Sequence, residues 1–438
     1  MRTPRIVIIG AGFAGFHAAR TLSKIARGRA EVVVVNPTDY FLYLPLLPEV
    51  ATGVLDPRRV TVSLPAALPK VRLILGEATR IDLDRREVEY ADPECGEGSV
   101  AYDRLVLAAG SVHKLLPIPG VAEHAHGFRG IPEALYLRDH MTRQVELADL
   151  TDDPHERAAR LTFVVVGAGY TGTEVAAQSV LYTDILHRRH PRLRDHRPQW
   201  MLLDVAPRVL PELDERMSRT ADAVLRRRGI DVRPGVTVRE ADADGVRLSD
   251  GTTVATRSLI WCVGVRPDPI VAELGLDTAK GRLIVDEYLA VPGHPEVYAC
   301  GDAAAVPDLT RPGQLTPMTA QHAVRQGKRA ARNIAASYGS GRRRQYRHRD
   351  LGFVVDLGGP QAAANPFGVA LAGAPAKAVT AGYHLLSLPG NRARTAADWV
   401  LEAVLPRQTV QLGLVRSPNV PLETAPPRTP AARSVASS

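Results

Sequence analysis

Two glycine-rich hexapeptides, each set directly behind a short apolar run, constrain this chain more than anything else in it. Gly10-Ala11-Gly12-Phe13-Ala14-Gly15 follows Ile6-Val7-Ile8-Ile9, and Gly167-Ala168-Gly169-Tyr170-Thr171-Gly172 follows Phe163-Val164-Val165-Val166. One such hexapeptide is a weak signal, because small residues recur by chance. Two copies in strand–turn–helix context, more than a domain's length apart, are a strong one. The glycines serve a tight turn, a close backbone approach to pyrophosphate, and packing of helix on strand. The phosphate then rests on free N–H groups at the positive end of the following helix. Two such turns imply two dinucleotides in one chain, and two dinucleotides suggest electron transfer between them.

At 438 residues the chain has room for two or three domains and a sizeable core. With 45% hydrophobic and 23% charged residues it reads as a folded chain. Cys95, Cys262 and Cys300 lie far apart with no C-x-x-C, which argues against a disulfide framework and against a redox-active dithiol. They read as small buried hydrophobes, and no metal site is expected. No signal peptide and no apolar run of membrane-spanning length is visible, so a cytoplasmic protein is the default expectation. The charge is uneven. From Arg342 onward twelve basic residues face five acidic ones, which places +7 of the net +8 in that region. A basic end of this kind suits an anionic lipid surface or nucleic acid, or is a solvated end with no partner.

The first unit reads βαβ: a strand at 6–10, a helix to about residue 26, and a strand at 31–35. It ends at Asn36, where an acid usually holds the adenosine ribose; Asn can hydrogen-bond a hydroxyl but brings no charge. Residues 73–78 and 86–90 read as strand and meander. Residues 102–110 read as a buried strand whose end, Ala109-Gly110, packs tightly against a bound dinucleotide. A charged helix at 131–150 leads to the second βαβ, whose helix is expected to run long, with a polar extension through 187–198. The next strand, 200–204, ends in Asp204, the expected ribose-binding carboxylate. It disfavours a 2′-phosphate and so favours NAD(H), against which only Arg208 speaks. A meander at 231–256 and a strand ending in Gly264, where a nicotinamide could approach, follow. Residues 296–304 read as a strand, a glycine turn at Gly301 and an acid, Asp302, at the mouth of a helix. Residues 316–337 read as a helix, and 409–415 as a last strand.

These residues together resemble the two-dinucleotide-fold flavoproteins, and within them the type II NADH dehydrogenases, the non-pumping NADH:quinone oxidoreductases. The stretches that carry the resemblance are 40–53 (YFLYLPLLPEVATG), 167–174, 207–211, 261–267, Gly301-Asp302 and 319–327 (TAQHAVRQG), within a coverage of 4–415. The resemblance implies an α/β fold with two Rossmann-like dinucleotide-binding domains, the NADH domain inserted into the FAD domain, plus a C-terminal α+β segment. The expected divisions are 1–125 and 286–345 for FAD, 126–285 for NADH with its connectors, 346–415 for a C-terminal domain making a membrane or dimer contact, and 416–438 for a disordered tail.

On the same basis FAD is expected on Gly10, Gly12, Phe13, Ala14, Gly15 and Asn36, with Leu44, Pro45 and Ala320 bordering the flavin ring. Ala78 would meet the adenine, Ala109 and Gly110 the dinucleotide, and Gly301 and Asp302 the ribitol. NADH is expected on Gly167, Gly169, Tyr170, Thr171, Gly172, Asp204 and Gly264. Glu174, at the start of the second phosphate-turn helix, is either an acid favoured by the helix dipole or, as the family implies, a group at the flavin–nicotinamide contact. Gln321 and Gln326 match positions around the family's quinone pocket, although this chain has Arg325 where many members carry a second glutamine. The implied reaction passes a hydride from NADH to FAD and two electrons to a quinone, without proton pumping. No nucleic acid is expected. The apolar C-terminal stripes, such as Ala397, Val400, Leu401, Val404 and Leu405, are thin for the family. They suit an anionic membrane surface on the inner face of the cell membrane, or a homodimer partner. A soluble reductase with a ferredoxin-type acceptor, or an NADH-responsive flavoprotein acting by partner binding, stay open as alternatives.

Overall fold

The structure, a computed structural model, describes residues 3–26, 28–348 and 351–422. Strand β1 (Arg5–Ile9) runs into helix α1 (Phe13–Ile25) and returns as β2 (Glu31–Asn36), followed by β3 (Arg72–Leu75) and β4 (Arg104–Leu107). Next come β5 (Ala125–Gly127), helix α2 (Ile131–Leu150), β6 (Thr162–Val166), helix α3 (Tyr170–His187), β7 (Gln199–Asp204), β8 (Ile230–Pro234) and β9 (Ser258–Trp261). The chain then supplies β10 (Ala290–Val291), β11 (His294–Ala299) and helix α4 (Ala320–Ser337). It closes with β12 (Val354–Asp356), β13 (Ala362–Ala364), β14 (Leu371–Ala372), helix α5 (Gly373–Ser387) and helix α6 (Arg392–Val404).

Two large sheets result, parallel throughout except where β10 pairs antiparallel with β11 at one edge, beside smaller antiparallel ones such as that of β12, β13 and β14. The first has the order β10-β11-β4-β1-β2-β3, and the second β5-β9-β6-β7-β8. The first therefore draws on both ends of the 5–299 stretch, while the second is built wholly from residues in between. In each sheet the strand before the glycine turn is central: Ile6 pairs with Val32 and Arg104, and Phe163 with Trp200 and Ser258. The chain leaves such a strand in one direction and its neighbour in the other, which opens a crevice at the strand's carboxyl end. The runs 6–9 and 163–166 are apolar throughout because they are buried on both faces: Val7, Ile8, Phe163, Val164 and Val165 are all fully enclosed. Helices α1 and α4 pack at Gly327, where a side chain would strike the Ala14 carbonyl oxygen.

Four sequence expectations change. Residues 409–415 form no strand; they run as an unpaired, exposed strap. Helix α3 stops at His187, and instead of a helical extension the chain makes a short 3-10 turn at Pro191–Leu193, where proline cannot continue the helical ladder. Asp302 is not at the mouth of a helix; it lies in a three-residue 3-10 turn, Gly301–Ala303, that leads into a two-residue strand. Of the tail, Val420 and Leu422 are buried, Leu422 among the apolar residues of the second sheet, while residues 423–438 lie outside the described residues.

Candidate functional site

The two glycine turns are built alike. Gly10 (φ +87°) and Gly167 (φ +101°) take left-handed backbone that only glycine adopts without strain. A side chain there would strike the carbonyl oxygen of Ala108 or of Cys262 on the neighbouring strand. Gly15 and Gly172 admit helix against turn so closely that a side chain would meet the Gly10 or Gly167 carbonyl oxygen. Gly12 and Gly169 differ: they cap α1 and α3 with no side-chain hydrogen bond, and a methyl added to either meets nothing within 4 Å. So the first and third glycines are needed by the fold, and the second faces open space in front of uncapped helix N–H groups. That space fits a pyrophosphate in both halves.

Behind each turn sits one polar side chain. The Ala11 N–H donates to Asn36 Oδ1 at 2.7 Å, and the Ala168 N–H to Asp204 Oδ2 at 2.5 Å. Asn36 spends the other end of its amide on the Thr38 carbonyl and hydroxyl, at 2.8 and 3.0 Å. Asp204 Oδ1 accepts from the Ala206 N–H at 2.7 Å and the residue stays part-exposed. Both residues fix the turn. Arg208 does not reach across to a 2′-phosphate position; its Nη2 donates to the carbonyls of Pro211 and Leu213 at 3.0 and 2.8 Å.

Around the first crevice, Asp302 Oδ2 accepts from the Ser111 hydroxyl at 2.7 Å. Burial pushes its carboxyl above the usual range, against the pull of Ser111, Arg129 and Arg282. Gly301 needs its φ of +72° and lies 3.1 Å, at an added Cβ, from the Ala14 methyl. Gln326 is a brace behind this turn: its Oε1 accepts from the Gly301 N–H at 2.8 Å and its Nε2 donates to Thr316 Oγ1 at 3.0 Å. With 1% exposure and both ends used, it has nothing left for an acceptor molecule, contrary to the expectation for a pocket-lining glutamine. Gln321, in the first turn of α4, donates to the Gly352 carbonyl at 2.9 Å, while its Oε1 is buried and takes no hydrogen bond from any described residue. Ala320 begins the same helix, Leu44 and Pro45 form an accessible 3-10 turn, and Ala78 lies part-buried on the strand Glu77–Asp82. Gly110 and Gly264 both have positive φ and open space at Cβ. Tyr170 and Thr171 open helix α3, the tyrosine ring against Phe353 at 6.3 Å and the threonine exposed.

Glu174 stands in a cluster that the sequence did not reveal. Its Oε1 accepts from the Asp356 N–H at 2.9 Å. Asp356 Oδ2 meets Lys377 Nζ at 2.5 Å, and Lys377 lies 3.6 Å from Glu49 Oε1. Glu49 Oε2 in turn accepts from the Trp399 indole N–H at 2.6 Å. Two carboxyls, Asp356 and Glu49, thus share one ammonium, with the third, Glu174, buried beside them and held by the Asp356 backbone. Burial, with Asp356 and Glu49 nearby, raises the Glu174 carboxyl well above its ordinary value. Burial and then Asp356 push Glu49 up to about 7, against Lys377. Burial works against the Lys377 ammonium, but Asp356 and Glu49 outweigh it and hold it above its ordinary value. Next to this group His384, held near pKa 4 by burial, meets the Tyr43 hydroxyl at 3.1 Å. Arg228 fixes the turn after β12 by donating to the carbonyls of Ala177 and Gly358, each at 2.7 Å, and of Leu357. The signals in sequence were slight: one acid inside the apolar run 44–50, and the single lysine of an arginine-rich C-terminal region.

Two parallel sheets, each with a phosphate cradle at its reversal point and the second set within the first, define the class of two-dinucleotide flavoprotein reductases. The family described as pyridine nucleotide-disulphide oxidoreductase matches residues 4–327. The type II NADH:quinone oxidoreductase Ndh of Mycobacterium tuberculosis is 33% identical over 356 residues, covering 76% of this chain and 73% of that one. The demethylphylloquinone reductase NdbB of Synechocystis is 30% identical over 379 residues, 84% and 88% of the two chains. Within that family the chain belongs to the type II NADH:quinone oxidoreductases. The fold agrees with that of Plasmodium falciparum NDH2 solved with NADH, at a TM-score of 0.85 over 93% of this chain and 100% of that one, with 18% identity.

Proposed function

We propose that this FAD-dependent NADH:quinone oxidoreductase holds FAD on the Gly10–Gly15 turn and NADH on the Gly167–Gly172 turn, and serves a quinone at a membrane surface. The observation that carries the assignment is the open space in front of Gly12 and Gly169, each backed by uncapped helix N–H groups. FAD, when bound, supplies the redox chemistry, taking a hydride from NADH and giving two electrons to the acceptor. The protein orients and insulates. The N–H groups of α1 and α3 hold the two pyrophosphates, and Asp302, presented by Ser111, meets the ribitol. Asp204, held by the backbone N–H groups of Ala168 in the glycine turn and of Ala206 in its own loop, presents a negative charge to the ribose edge, so NADH is bound in preference to NADPH. Glu174, whose neutral form is favoured by burial, presents its second carboxyl oxygen as a hydrogen-bond donor, while the Asp356 N–H fixes the first and Lys377 neutralises the neighbouring Asp356. Gln321 turns its unused carbonyl oxygen toward the acceptor side.

Among the described residues no helix is long and apolar enough to cross a membrane. The membrane-facing reading rests instead on Leu386, Val400, Leu401, Val404, Leu405, Val410, Leu412 and Leu414, every one at least half exposed. Exposed apolar side chains in one contiguous stretch, joined to a basic end, suit an anionic bilayer surface. The deciding experiment is steady-state NADH oxidation by the flavin-loaded protein with a short-chain quinone against ferricyanide, with and without anionic liposomes. Rapid quinone reduction, enhanced by liposomes, is expected. Bleaching of the flavin by NADH with negligible quinone turnover in either condition would reassign the acceptor to a soluble partner, and concentration-dependent dimers without liposome binding would reassign the apolar stretch to a second copy.

A further inference from the structure

The segment between α3 and β7 takes no part in the reaction just described, yet it is built as a site. After α3 ends at His187 the chain folds back through Pro191–Leu193 and encloses a hollow of about 300 Å³, lined by Asp184, His187, Arg188, His190, Arg194 and Arg197. Most of the polar groups nearby are accounted for. His187 Nε2 meets the Leu193 carbonyl at 2.6 Å, and His190 faces Glu146 and Asp149 at 3.4 and 3.6 Å. Arg192 pairs with Asp152 at 2.5 Å. Three guanidinium groups are left over. Arg188, Arg194 and Arg197 make no ion pair and no side-chain hydrogen bond among the described residues, and Asp184 is the one acid on the lining. All three are exposed at the rim of the hollow, where water screens their repulsion, and together they make one concave surface of positive charge that an anion can join. Guanidinium groups match phosphate oxygens in pairs of parallel hydrogen bonds.

The neighbouring surface says which phosphate. Arg189, between the hollow and the C-terminal strap, donates to Thr409 Oγ1 and to the Arg407 carbonyl, the latter at 3.2 Å. A few residues on, Asp139 fixes the strap by accepting from the N–H groups of Leu412 and Gly413, at 3.0 and 2.7 Å. On that strap Val410, Leu412 and Leu414 are 58%, 50% and 69% exposed, one apolar side chain at every second residue. The basic hollow is thus continuous, through Arg189, with an apolar strap that nothing covers. A free phosphate ion would use the first and have no use for the second. A molecule with a phosphate and acyl chains uses both.

We propose that the hollow formed by Arg188, Arg194 and Arg197 binds the headgroup phosphate of an anionic phospholipid, with the 410–414 strap lying against its acyl region. The inference rests on the membrane-facing reading above and gives it a lipid preference and a place. It also gives the polar segment after α3 a purpose: it turns the NADH-binding half, as well as the C-terminal helices, toward the bilayer.

The test is co-flotation of the flavin-loaded full chain with vesicles of phosphatidylcholine alone or mixed with phosphatidylglycerol. It compares the wild type with the Arg188→Gln/Arg194→Gln/Arg197→Gln variant. A control removes the same charge from exposed, unpaired positions elsewhere, Arg216→Gln/Arg227→Gln/Arg239→Gln. At about a fivefold partition change per basic residue near the surface, the hollow variant is expected to lose roughly a hundredfold in binding to phosphatidylglycerol vesicles. It should keep its binding to phosphatidylcholine and its lipid-free NADH:ferricyanide activity, while the control keeps all three. Equal losses in the hollow and control variants would overturn the site in favour of diffuse charge. Wild-type binding with no phosphatidylglycerol preference would overturn it while leaving the membrane reading intact, and no vesicle binding at all would remove both. Saturable thermal stabilisation by inorganic phosphate, lost in the hollow variant and unaccompanied by a lipid preference, would overturn the lipid assignment and give the hollow to a soluble anion.

Discussion

Glu49, Glu174, Asp356 and Lys377 occupy one buried volume, and there the state of each proton depends on its neighbours. A carboxyl whose folded-state pKa is raised keeps a proton over a range where the unfolded chain has lost it. Its contribution to stability is therefore full below the unfolded value and is lost as pH rises through the folded one. For Glu49 that window runs from about 4.5 to about 7. Glu49→Gln should flatten the fall in Tm across this range and raise Tm above pH 7; an unchanged slope would mean that Glu49 is ionised throughout. Gln321 gives a separate test. Its buried, unused carbonyl oxygen costs about 1–3 kcal/mol in desolvation if nothing fills its place. Gln321→Leu relieves that oxygen but leaves the Gly352 carbonyl unpaired, so Tm should change little. Flavin reduction by NADH should be unchanged, while quinone turnover falls about tenfold, on the order of one hydrogen bond that the Gln321 oxygen accepts from the hydroxyl of the quinone as it is reduced. Equal losses in both half-reactions would place the residue elsewhere in the cycle. The family resemblance pointed to Glu174 and Gln321, since an acid beyond a phosphate turn and a glutamine in a family stretch are carried by local sequence. It could not separate Gln321 from Gln326, because what each amide bonds to, Gly352 in one case and Gly301 with Thr316 in the other, depends on segments distant in the chain.

At the scale of elements, the glycines of one turn divide by what surrounds them. Gly172→Ala forces a methyl against the Gly167 carbonyl and must push α3 off β6, a strain of about 1–3 kcal/mol that should lower Tm. Gly169→Ala meets no protein atom, and its φ of −72° suits alanine. It should leave Tm unchanged and raise the Kd for NADH tenfold or more, and an unaltered Kd would move the pyrophosphate away from this turn. Helix α6 offers a second case. Its Trp399 N–H is bound to a buried carboxyl, Glu49, an interaction of about 0.5–1.5 kcal/mol while that carboxyl keeps its proton, and about 1.5–3 kcal/mol once it ionises. Trp399→Phe should free the helix enough to expose it to limited proteolysis well before the two parallel sheets are cut. Helix and strand positions in the βαβ units were readable because their periodicity and glycine spacing are local. The 409–415 strap read as a strand because its residues alternate. It is not one because, among the described residues, no strand pairs with it, and the backbone is held by Asp139 instead.

For the whole molecule, the division of labour is between a rigid reductase built on two sheets and a C-terminal apolar surface turned outward. Charge reversal there, as in Leu401→Glu/Leu405→Glu, should abolish co-flotation with liposomes while NADH:ferricyanide activity in solution stays within about twofold, since neither side chain lies in the cradles. Loss of both would tie the surface to the fold rather than to a partner.

The sequence by itself determined the two phosphate turns, the strands and helices beside them, the family, and with it the pairing of FAD with NADH. These rest on contacts between residues close in the chain, or on backbone conformations that few residue types allow, so the letters carry them directly. Only the tertiary structure decided that Glu49, Glu174, Asp356 and Lys377 meet, that Gln326 is a brace, and that the arginines after α3 line one hollow beside the strap. A buried carboxylate, lysine or arginine acquires its character from the dielectric and charges around it. Those neighbours come from segments as far apart as Glu49 and Trp399, and the chain order does not name them.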